Sequence, residues 1–145
     1  SALGKNSENR SPIGEATLNL SPRGQQLIAL QQIKYLQSLP EKKARLELYL
    51  AGVRQHGWTP ESFNEFKLEI HRLTGSAGSY GLVSLGSVAQ KLDVMLADSK
   101  NSKVQTADFT AEFLCGMDDL FQELDEVLGS LPELIKRLKD LQLSG

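Results

Sequence analysis

The stretch Ile70-His71-Arg72-Leu73-Thr74-Gly75-Ser76-Ala77-Gly78-Ser79-Tyr80-Gly81 decides the fold class. Together with the residues before it, it spaces Phe63, Phe66, Ile70, Leu73, Ala77 and Tyr80 by 3, 4, 3, 4 and 3 positions. That is the repeat of one helical face, not the alternation of a strand. At about 100° per residue the six share a stripe, and His71 lies roughly 135° from its centre. The helical neighbours of His71 three, four and seven residues onward are Thr74, Gly75 and Gly78. Two glycines inside a helix cost about 1 kcal/mol each relative to alanine. A helix that carries them beside an outward imidazole points to another molecule coming very close to that ring.

The same period extends in both directions. Residues 1–21 mix Ser, Asn, Gly and Pro with few apolar groups and are expected to be a flexible lead. From Pro22 onward Leu27, Leu30, Ile33, Tyr35 and Leu36 trace a helical face, and Pro40 is expected to break or restart the helix after Ser38-Leu39. The next helix runs to about Gln55 with Leu46, Leu50 and Val53 inward, and His56-Gly57 closes it. Thr59-Pro60-Glu61 is a start signal, a cap residue followed by proline at the first helical position. The helix bearing His71 should end near Tyr80, with Gly81 as its left-handed cap. Leu85, Val88, Leu92 and Met95 mark a further helix, followed by a loop over 98–105. Phe113, Met117, Leu120, Leu124 and Val127 form the stripe of a helix over about 107–129, widened by Leu114, Phe121 and Leu128. Ser130-Leu131-Pro132-Glu133 has capping-box spacing and opens a terminal helix with Leu134, Leu138 and Leu141 inward.

No segment sustains period-two alternation. The expectation is therefore an all-α antiparallel four-helix bundle with additional N- and C-terminal helices. The bundle with its leading helix should occupy 22–129. Residues 130–145 form a terminal helix that could link to a further domain.

At 145 residues, 40% hydrophobic and 23% charged, the composition is that of an ordinary soluble globular domain. A net charge of −2 gives no electrostatic case for nucleic acid or an anionic membrane surface. The lone Cys115 excludes an intrachain disulfide and suits a reducing, cytoplasmic compartment. The chain shows no signal-peptide pattern, and no apolar run approaches the roughly 18 residues of a membrane span.

His71 reads either as a surface nucleophile or as an ordinary solvated histidine. The first is chemically sound, because a histidine of ordinary pKa, about 6.5, is largely neutral and nucleophilic near pH 7. Gly75 and Gly78 could serve tight helix packing or phosphate cradling. They project with His71, however, and neither a preceding strand nor a following Gly-Lys-Ser/Thr is present. Access to the histidine accounts for them better. Leu68, three residues before His71, could be an isolated exposed leucine, but beside an accessible nucleophile it reads better as part of a docking patch. Lys67, four before, could neutralise an anion on the ring, and reads at least as well as a lysine on a solvated face. His56 suits the negative end of a helix dipole. Two histidines and one cysteine far apart make no metal site, and Asp118-Asp119 and Asp125-Glu126 read as a polar face.

The run His71-Arg72-Leu73-Thr74-Gly75-Ser76-Ala77, followed by Gly81, Leu85, Ala89 and Leu92-Asp93, resembles the histidine phosphotransfer (HPt) family. The family pattern is a histidine, a leucine two onward, a glycine four onward, a second glycine, and then a helix of spaced apolar residues closed by an acid. The resemblance extends over about residues 40–128, with its specific motif within 71–93. It implies a four-helix bundle without a cofactor, a carrier and not an autonomous enzyme. The phosphoryl group would pass between His71 and an aspartate of a receiver domain that supplies its own magnesium. A sensor or hybrid histidine kinase is a further candidate partner. Gly75 takes the place of the close-approach glycine, and Arg72, Thr74 and Gly78 join Lys67 and Leu68 as candidates for docking or phosphoryl stabilisation. The commonest pattern has lysine where this chain has Thr74, which leaves Lys67 to supply the positive charge. The competing reading is a helical protein-interaction domain of HPt-like fold that does not relay.

Overall fold

The computed structural model describes residues 21–97 and 111–143; all but Ser21 of the expected lead over 1–21, the loop over 98–105 and the first residues, 107–110, of the helix expected over about 107–129 lie outside them. Five helices appear among the described residues: α1 Pro22–His56, α2 Pro60–Ser79, α3 Val83–Ala97, α4 Ala111–Gly129 and α5 Leu131–Leu143. The described residues contain no strand.

The ends of these helices follow local chemistry. The Ser21 side chain caps α1 by accepting from the Gly24 amide at 3.1 Å, and Gly57, at φ 75°, closes it. Thr59 and Ser62 form a reciprocal capping box at the start of α2. At its end Leu82 N–H reaches the Ala77 carbonyl at 2.8 Å and Gly81 N–H reaches that of Gly78 at 3.1 Å. This pair of bonds is a Schellman closure, and it requires the left-handed φ of 83° at Gly81.

One expectation is corrected. Pro40 does not break the first helix, because α1 runs uninterrupted from Pro22 to His56. Proline removes one i→i−4 bond and crowds a carbonyl, but the seam on either side is anchored. Leu36, Leu39, Leu46 and Leu50 are all buried on one face of α1, so tertiary packing holds the axis that local propensity would interrupt. A second correction concerns Leu27, which continues the apolar pattern in sequence yet is 54% exposed. The inward seam of this end of α1 is Ala29, Gln32, Ile33 and Leu36, at heptad-like spacings.

The chain folds back antiparallel between α1 and α2 and between α2 and α3. Along α1 and α2, Tyr35 meets Ser76, Arg45 meets Glu69 and Tyr49 meets Glu65. Along α2 and α3, Gly86 lies against the backbone of Gly78 and Asp93 against His71. Helix α4 closes the bundle, with Gly116 beside Leu92 and Asp125 bound to Lys43 of α1 at 2.6 Å. The core contains Phe63, Phe66, Ile70, Leu73, Leu85, Leu92, Met117, Leu120 and Leu124, as the helical period predicts. Tyr35 already lies at the C-terminal end of α2, so about the first third of α1 extends past that helix. Helix α5 packs chiefly against α1 and buries Leu134 and Leu138 in the same core.

Candidate functional site

Helix α2 lies between two neighbours, and this arrangement sorts its side chains into three lines. Glu65, Glu69 and Ser76 face α1. His71 and the Gly78 backbone face α3. Leu68, Gly75 and Ser79 form the outer crest, and all three are exposed.

His71 sits in mid-helix on the α3 edge of this crest, with its side chain 69% exposed. Its Nδ1 lies 3.0 Å from Oδ2 of Asp93. An ionised carboxylate can only accept, so it favours the proton on Nδ1. That tautomer leaves the lone pair of Nε2 as the free nucleophilic position. Asp93 is itself partly covered, at 22% exposure. The pairing crosses two helices separated by 22 residues in sequence, and reading residue by residue did not place Asp93 in the site. The signal was the acid that closes the Leu85, Ala89, Leu92 pattern of α3.

Gly75 lies one turn beyond His71, and a Cβ built there would meet nothing within 4 Å. The same holds at Gly78, whose missing side chain is therefore not a requirement of packing. A tight fit falls instead at Gly86 of α3, whose Cβ would stand 3.2 Å from the Gly78 backbone nitrogen, closer than ordinary side-chain contact. Gly86 brings α3 close to α2 about two turns beyond the histidine, and the reading of the sequence did not mark it. Cross-helix packing leaves no period in a single chain.

The other candidates occupy distinct places. Lys67 is half-buried one turn before His71 and forms no ion pair among the described residues. Leu68 is 45% exposed on the crest. Arg72 is exposed and points round toward the α1 side. Thr74 is half-buried, and its hydroxyl donates to the Ile70 carbonyl of its own helix at 3.0 Å. A hydroxyl so engaged does not offer its hydrogen to an anion on His71. Val94, next to Asp93 on α3, is also exposed.

His56 is exposed in the last turn of α1, away from this cluster. Cys115 is exposed on α4. No group of three or more His, Cys, Asp or Glu side chains that could hold a metal occurs among the described residues. No helix among them is long and apolar enough to cross a membrane.

A family model described as Hpt domain matches residues 33–142. Searches of the curated proteins and of the solved structures gave no significant match.

Proposed function

Because the chain belongs to the Hpt domain family, we propose that His71 is its phosphoacceptor, exchanging a phosphoryl group with a receiver-domain aspartate in a two-component relay. The observation that carries the reading is the outward imidazole tied through Nδ1 to Asp93, with Nε2 free beside an unobstructed Gly75.

The chemistry follows from that geometry. Nε2 attacks the phosphorus of an aspartyl phosphate on the receiver. The N–P bond forms as the P–O bond to the aspartyl carboxylate breaks, and the carboxylate leaves with its electron pair. The imidazole gains positive charge in this step while its Nδ1 proton stays hydrogen-bonded to Asp93. Asp93 stabilises that charge and fixes the ring, the part an orienting carboxylate plays beside a histidine in other nucleophilic sites. In the reverse transfer the protonated ring is the better leaving group. The receiver supplies the magnesium that neutralises the phosphoryl oxygens.

The remaining candidates take supporting parts. Gly75 leaves room for the receiver to bring its aspartate within reach. Lys67 supplies the positive charge that Thr74 lacks, and Leu68 with Val94 gives apolar contact around the histidine. Gly78 extends the cleared strip, and Arg72 serves the docking rim.

The reading is tested by incubating the chain with receivers phosphorylated on aspartate and assaying for acid-labile phosphate. Label that requires His71 is the expected result. If no receiver labels the wild-type chain, the non-relaying interaction domain becomes the better account.

A further inference from the structure

The end of α2 that follows His71 is weak by its own composition. Between Thr74 and Tyr80 only Ala77 places a fully buried side chain in the core. Gly75 and Gly78 forfeit helix propensity. The Thr74 hydroxyl donates to the Ile70 carbonyl and the Ser79 hydroxyl to that of Gly75 at 2.9 Å, a back-bonding that slightly destabilises and bends helices. Yet this is the surface on which a partner would have to seat squarely.

Support comes from α1, on the side of α2 opposite Asp93. The hydroxyls of Tyr35 and Ser76 lie 2.7 Å apart, and the rings of Tyr35 and Tyr80 stack at 4.5 Å with an interplanar angle of 20°. Of the three hydroxyls at 74, 76 and 79, Ser76 alone reaches another helix. Tyr35 is buried and held in turn from its own helix. Lys42 Nζ stands 5.3 Å from its ring centroid and donates to Ser38 Oγ, which donates to the Tyr35 carbonyl. The phenol therefore grips both Ser76, within the glycine-interrupted turn, and Tyr80, at the helix cap.

We propose that Tyr35 is a positioning residue for phosphoryl transfer, clamping the Gly75–Tyr80 end of α2 in the regular form on which a receiver docks. The proposal rests on His71 being the phosphoacceptor. Tyr35 touches no reacting atom. It acts by removing a partner's need to order the glycine-bearing turn on binding, a cost that appears in the concentration of receiver required and not in the rate once bound.

The test uses the full chain and two single substitutions, Tyr35→Phe, which keeps the stack and loses the hydroxyl, and Ser76→Ala, together with their combination. Amide hydrogen exchange at Tyr80, Gly81 and Leu82 should accelerate about fivefold in each, the ratio that one hydrogen bond is worth. Amides from Phe66 to Leu73 should be unchanged. The receiver concentration giving half-maximal transfer should rise by a similar factor, with the saturating rate within about twofold. The double variant should add nothing to either single one.

Exchange that accelerates uniformly along the chain would make Tyr35 an ordinary core residue and overturn the proposal. So would additive effects, or unchanged half-saturation in a Tyr35→Phe chain that still accepts phosphate. A wild-type chain that accepts no phosphate overturns the proposal together with the function it serves, and labelling of wild type separates these failures.

Discussion

Nδ1 of His71 and Oδ2 of Asp93 stand 3.0 Å apart across the α2–α3 contact, so the candidate site belongs to two helices. Asp93→Ala should slow transfer about tenfold, the equivalent of losing one charge-assisted hydrogen bond. Asp93→Asn can still accept from Nδ1 through its carbonyl oxygen and should fall between wild type and alanine. Single-turnover labelling at saturating receiver measures both. Equal rates in all three chains would show that Asp93 neither orients the ring nor stabilises its charge.

Replacing His71 by glutamine should abolish acid-labile label while changing stability by less than about 0.5 kcal/mol, because the side chain is mostly exposed. His56→Gln is the internal control, since His56 ends α1 apart from the cluster. Label that survives in His71→Gln would remove the assignment.

Gly75 and Gly86 make opposite predictions from the same residue type. Gly75→Gln enters open space and should stabilise the helix by about 0.5 kcal/mol while blocking transfer from a receiver. Gly86→Leu must push against the Gly78 backbone and should cost about 1–3 kcal/mol. Chemical denaturation of the two variants decides whether packing or access explains each glycine.

Lys67→Ala should slow transfer or shorten the life of the phosphohistidine by only a few-fold, since partly exposed charges interact weakly. The effect should shrink at high salt. Decay of the isolated phosphorylated chain at two ionic strengths measures it. A salt-independent effect of Lys67→Ala would point to packing instead.

Tyr35 also predicts an alkaline limb of stability. Burial raises its phenol above the ordinary value of 10.0, against the opposing hydrogen bond from Ser76. The unfolded chain releases this proton near pH 10 while the folded chain still holds it. The contribution is therefore complete below that pH and falls as the pH rises toward the folded value. Denaturant unfolding between about pH 8 and 11 should show a shallower decline in Tyr35→Phe. Some slope should remain, because burial also raises Tyr49, with Glu65 adding to the shift.

The sequence by itself determined the helical class, the inward faces of α2, α3 and α4, and the outward position of His71. Each of these is written in a local period or in a cap such as Thr59 or Gly81. Local chemistry misjudged Pro40, because the leucine seam that carries α1 through the proline is a tertiary fact. It also left Leu27 in an inward pattern, since a repeat does not say where its partner helix lies. Only the tertiary structure brought Asp93 to His71, pressed Gly86 against Gly78 and joined Tyr35 to Ser76 and Tyr80. Those contacts join positions on different helices, and no periodicity along one chain encodes the register between two.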